Sequence, residues 1–152
     1  MSTSFEFKLG FRHEPNKVLS MLQSETFQTS NVFGSKLEID SIERTDTNST
    51  FIHHTKDSLI MVQVWSNLLD EKGAASGRIS VKKTAGITAG AEASATLAPA
   101  LAGTEITVVG TVRVNVVAGA GKLEKKFVSK IQSKFKTFEG KMNEWLDEER
   151  TD

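Results

Sequence analysis

The adjacent histidines of "STFIHHTKD", His53 and His54, are the first residues to suggest chemistry, because neutral imidazole is the commonest protein metal ligand. In an extended segment neighbouring side chains leave on opposite faces, so this pair cannot close on one ion. Bringing in the distant His13 supplies no carboxylate at ligand spacing. The expectation is one inward and one solvated histidine, and no metal. "GAGK" at 119–122 resembles the end of a phosphate loop. Such a loop needs glycine five positions before Gly121 and Ser or Thr after the lysine, where Val116 and Leu123 stand. A dinucleotide fingerprint opening at Gly119 fails at Glu124, where a third glycine is required. Glu38, Asp40 and Glu43 read as a solvated strand and turn, not as an acid/base pair. No serine nucleophile pattern is present, and the chain has no cysteine. These motifs therefore yield no catalytic residue and no cofactor.

The informative residues are apolar, and their spacing defines the elements that hold them. In "SFEFKLGFR", Phe5, Phe7, Leu9 and Phe11 alternate with polar residues, the mark of a half-buried strand. "EPNKVLSMLQSETFQTSNVF" changes period; Pro15 suits a first helical turn, and Val18, Leu19, Leu22 and Phe27 form the apolar face of one or two short helices. "SKLEIDSIER", with Leu37, Ile39 and Ile42, and "STFIHHTKD" read as strands joined by the turn "TDTNS". "SLIMVQVWSNLL" is apolar on both faces, which fits a central strand or a covered edge. "DEKGAASG" reads as a turn and "RISVKKT" as a strand. The small-residue run Ala85 to Thr104 reads as strand and loops, with Ala91, Ala93 and Ala95 projecting inward. "EITVVGTVRVNVV" is the longest strand, with Ile106, Val108, Val112, Val114 and Val116 on one face.

The final element is a long amphipathic helix over 122–146. Leu123, Phe127, Ile131, Phe135, Phe138, Met142 and Trp145 recur at spacings of four and three, and most lysines lie off that stripe. At 1.5 Å per residue it is about 40 Å long, enough to span a whole sheet. No second helix of that length exists to pair with it, so the inward face of the sheet must receive it. Gly140 in its interior implies a bend or a close contact. The order is that of an α+β domain over 1–152: a curved antiparallel sheet wrapped around one C-terminal helix.

The segments "FEFKLGFRHEPNKVLSMLQSETF", "VQVW" and "GKLEKKFVSKIQSKF…EWL" resemble an uncharacterised bacterial family of the START-like superfamily, also called helix-grip or polyketide-cyclase-like. The resemblance covers nearly the whole chain and implies the helix-grip fold. It also implies an apolar ligand, hydrophobic or lipid-like, between helix and sheet, and it carries no catalytic residues over.

The expected cavity lining is Phe51, His53, Met61, Gln63 and Trp65 from the middle strands, with Phe135, Phe138 and Met142 from the helix. His53, Gln63 or Arg113 would orient the ligand. The reading is a non-catalytic binder or carrier. The alternatives are a polyketide cyclase or dehydratase, or a dimerising interaction module that uses "SLIMVQVW". Basic and acidic residues are equal at 19 each, which argues against nucleic acid as partner. No signal peptide or apolar span is evident, so the cytoplasm is expected.

Overall fold

The computed structural model describes residues 2–30, 38–55, 59–83, 88–116 and 118–148. Strand β1 (Thr3–Phe11) buries Phe5, Phe7, Leu9 and Phe11, as its alternation requires. Helix α1 (Pro15–Gln23) begins on Pro15 and buries Val18, Leu19, Met21 and Leu22. The short α2 (Glu25–Gln28) follows at once, because the Ser24 hydroxyl accepts the Phe27 N–H at 3.1 Å and restarts the helix. Six further strands follow: β2 (Glu38–Arg44), β3 (Asn48–His54), β4 (Leu59–Ser66), β5 (Ala75–Lys83), β6 (Ala89–Ala100) and β7 (Gly103–Val114). Helix α3 (Ala120–Asp147) ends the fold.

The strands form one antiparallel sheet in the order β1-β7-β6-β5-β4-β3-β2. β1 and β2 therefore lie at opposite edges, and the chain between them must traverse the sheet's breadth. It does so through α1 and α2, which close one end of the inner face. Gln23 donates to the Ser66 carbonyl at 2.8 Å, and Arg44 donates to the Gln23 carbonyl at 2.8 Å, tying α1 to β4 and β2.

Several local readings change. Ile39 and Ile42 are three apart yet both turn toward the core, because the β2–β3 register slips between Ile39 and Ser41. Leu37 lies outside the described residues. The turn before β5 is only Asp70–Ala74: Asp70 accepts the N–H groups of Lys72 and Ala74 at 2.8 and 3.0 Å, and Gly73 takes φ 75°. Ala75, Ser76 and Gly77 are already strand, since residues this small fit below larger neighbours. β6 runs unbroken over Ala89–Ala100 where strand and loops were expected. The doubly apolar strand is β4, and it is central, not an edge.

The largest correction concerns α3. The sheet grips it as expected, but α3 packs on β1 and β7 and runs along β1, in the same direction, instead of spanning all the strands. Glu124 meets Thr3, Phe135 meets Phe7, Glu139 and Asn143 meet Gly10, and Asp147 meets Arg12 and His13. β1 is an edge strand with backbone groups to satisfy. The Gly10 N–H donates to the Glu139 carboxylate at 2.8 Å, and its carbonyl accepts from Asn143 at 3.1 Å. At Gly10 the helix thus supplies the backbone partners that a further strand would give.

Gly140 has no such duty, since a Cβ added there would meet nothing within 4 Å. The expected close contact is absent, and Gly140→Ala should stabilise the protein by about 0.5–1 kcal/mol through helix propensity alone. Urea denaturation checks this; a loss of stability would reveal a constraint that open space does not explain.

Candidate functional site

Strand register sets the inner face in rows. One row carries Phe5, Gly110, Ala93, Ile79, Gln63 and Phe51. The row on one side carries Val112, Ala91, Val81, Met61 and His53; on the other side lie Phe7, Val108, Ala95, Gly77 and Trp65. The sheet thus brings Phe51, His53, Met61, Gln63 and Trp65 together. The three helix positions follow one another along α3. Phe135 sits against Phe7, with ring centres 5.6 Å apart, while Phe138 lies further along, against Phe27 of α2, and Met142 is buried one turn beyond it.

Most of these side chains are packed. Phe51 and Met142 have no accessible surface, and His53, Gln63 and Trp65 are each 1% exposed, so no water-sized space borders them. Only Phe135 of the eight is half-buried. Two residues of α2 fill this end of the interior. Phe27, fully buried, packs against Phe138 at 5.9 Å and Trp145 at 5.3 Å between ring centres. Gln28 is the polar counterpart. Its amide donates to the Leu22 carbonyl at 2.8 Å, its side-chain oxygen accepts from Gln63 at 3.2 Å, and Gln63 in turn accepts from the Trp65 indole N–H at 3.2 Å. His53 Nε2 lies 3.2 Å from the Gln28 carbonyl, which can only accept, so this nitrogen carries the proton. Burial holds the His53 pKa below its ordinary value, with the neighbouring His54 adding to the effect against the raising influence of the Gln28 carbonyl. His53 is therefore a neutral, structural imidazole. His54 stands on the opposite face, 3.8 Å from Asp40. Arg113, expected among the inward polar groups, is exposed on the outer face of β7.

The inner surface that is not filled lies toward the other end. On the sheet, Ile79, Val81 and Ala93 face inward but remain partly exposed; on α3 the same holds for Leu123, Phe127, Ile131 and Phe135. These residues define an apolar trough between the N-terminal half of α3 and strands β5 and β6. Trp65 ends it, because its indole lies over Gly77: a Cβ there would stand 2.5 Å from the ring. The helix stripe was visible in the sequence. The sheet side was not, because Ile79 and Val81 alternate with polar residues in the same way as any strand. Two further depressions are described, the second on the outer face of the strands that carry Ile79 and Ala93. One of about 350 Å³ is lined by Gly10, Arg12, Ala100, Thr104 and Asn143; another of about 420 Å³ lies between Val62, Val64, Arg78, Glu92 and Val109.

Glu124 is the residue the sequence reading missed. It occupies the inner stripe, one turn before Val128, and has no accessible surface. Its carboxylate accepts the Val114 N–H at 3.0 Å and the Thr3 hydroxyl at 2.9 Å, so it fastens the start of α3 to β7 and β1. A carboxylate at an inward spacing among lysines was the available signal. The Val114 N–H, followed by the Thr3 hydroxyl, holds its pKa below the ordinary glutamate value against the opposing cost of burial. A depressed folded-state pKa gives stability that is present above the unfolded value, ~4.3, and is lost as pH falls through the folded one. Glu124→Gln should therefore flatten the loss of stability below about pH 4.3 in urea titrations. An unchanged acid limb would contradict this role.

The family described as protein of unknown function, DUF2505, matches residues 49–146. No curated protein matches. Among solved structures, a protein from Rhodobacter sphaeroides superposes with a TM-score of 0.61 at 11% identity, covering 97% of this chain and 94% of that one. Ara h 8.0201 gives 0.57 at 14% identity, with 93% and 98% covered. The di-domain ARO/CYC BexL from the BE-7585A biosynthetic pathway gives 0.59 at 13% identity, with 94% of this chain and 49% of that one covered. At these identities the likeness is one of fold: a helix-grip, START-like architecture.

Proposed function

The chain belongs to the DUF2505 family, and on that premise we propose that residues 1–152 form one domain that binds, without catalysis, a small hydrophobic molecule between α3 and the sheet. The observation that carries this reading is the uneven filling of the interior. Around Phe27 the space under α3 is closed, whereas Ile79, Val81, Phe127 and Ile131 face inward and stay partly exposed. Leaving inward apolar surface wet forfeits roughly 25 cal/mol per Å², and an apolar guest would recover it. The sites the sequence suggested on β3 and β4 then act as the packed floor behind the guest, with Met61, beside Val81, nearest the trough. Among the described residues no helix is long and apolar enough to cross a membrane, and a cytoplasmic carrier is the form we propose.

Native mass spectrometry of freshly purified protein, followed by organic extraction, tests the reading. A co-purifying apolar mass, or one taken up on adding a neutral long-chain alcohol, is the expected result. A protein that stays unliganded across such additions would overturn it, and an unliganded dimer would favour the interaction module.

A further inference from the structure

The trough has a polar mouth. β5 presents its inward side chains in the order Gly77, Ile79, Val81 and Lys83, and the last is a partly buried lysine on an otherwise apolar column. Its cross-strand neighbours are Leu59 on β4 and Ala89 on β6, neither of which can bond an ammonium group through its side chain. Among the described residues no carboxylate forms an ion pair with it. The inward charges elsewhere are already engaged: Arg44 bonds Gln23 and Ser49, and Glu124 bonds Thr3 and Val114. A lysine turned toward an apolar channel, with no ion-pair partner among the described residues, is a point charge held where an anion can meet it.

We propose that the ligand is a single-chain amphipath with a monoanionic carboxylate head. The head sits at Lys83, and the tail runs over Val81 and Ile79 toward Trp65. From Lys83 to Gly77 the column is about 20 Å long at 3.3 Å per residue, the scale of a medium to long alkyl chain. Trp65, seated on Gly77, stops the tail. One lysine matches one negative charge, which favours a carboxylate over a phosphate monoester carrying close to two. The proposal rests on the hydrophobic-binder reading and adds the head group to it.

The test compares dodecanoate, dodecyl phosphate and dodecan-1-ol, each below its aggregation limit, by displacement of a fluorescent apolar probe from wild-type protein and from Lys83→Met. Wild type should bind dodecanoate about tenfold more tightly than the alcohol, corresponding to about 1.4 kcal/mol. Lys83→Met should remove that preference while still binding the alcohol, which a merely misfolded variant would not do. Equal binding of acid and alcohol by wild type, an unchanged preference in Lys83→Met, or tighter binding of dodecyl phosphate than of dodecanoate would each overturn the head-group assignment while leaving the trough standing. Failure of all three ligands to bind would overturn both.

Discussion

Trp65→Ala is expected to cost about 3–5 kcal/mol, a large part of the 5–15 kcal/mol that holds a typical domain folded. The indole is 1% exposed, its N–H is bonded to Gln63, and its ring lies over Gly77. Removing it leaves a void in the packed floor and strands the Gln63 amide oxygen. The partner substitution Gly77→Ala should cost about 1–3 kcal/mol on its own, since a Cβ at Gly77 would stand 2.5 Å from the ring. In the double variant that collision has gone, so the two losses should sum to less than their separate values. Urea denaturation of the four proteins measures the coupling. Strict additivity would show that the ring does not rest on Gly77.

Gly110→Ala should be the most damaging single methyl in the sheet, at about 3 kcal/mol. A Cβ at Gly110 would run into the Glu92 carbonyl oxygen and into Ala93. These are backbone and Cβ atoms, which cannot swing aside as a long side chain can. β6 and β7 would have to part at the middle of their pairing, beside the trough wall formed by Ala93. A melting transition displaced by less than the equivalent of about 0.5 kcal/mol would contradict so close an approach.

These two sites show what the sequence discloses and what it withholds. Alternation in β1 and β7 and the long stripe of α3 were legible, because burial on one face imposes a period that neighbours cannot disguise. The helix-grip arrangement followed from the absence of a partner helix and from the family resemblance. The direction of α3 was not legible, since it depends on Glu139 and Asn143 meeting the backbone of Gly10, more than a hundred residues away. The bulge in β2 was likewise hidden, although two isoleucines three apart in a strand were its trace.

The candidate site was half legible for a related reason. Phe51, His53, Gln63 and Trp65 are inward, as their alternation requires, but inward is not the same as bordering a cavity. Gln28, one polar residue at the end of a four-residue helix, fills the space before them through its bonds to Gln63 and His53. Where α2 does not reach, Ile79 and Val81 are left partly open, although nothing in their own spacing distinguishes them from core.

The account depends most on that open stretch, and methyl-resolved NMR with dodecan-1-ol examines it directly without involving Lys83. The methyl signals of Ile79, Val81 and Ile131 should move together as the alcohol is added, while those of Val62, Val64 and Val109 on the outer face stay fixed. Movement of the outer-face methyls with the inner three unmoved, or no movement at all at saturating alcohol, would contradict a ligand trough between α3 and β5.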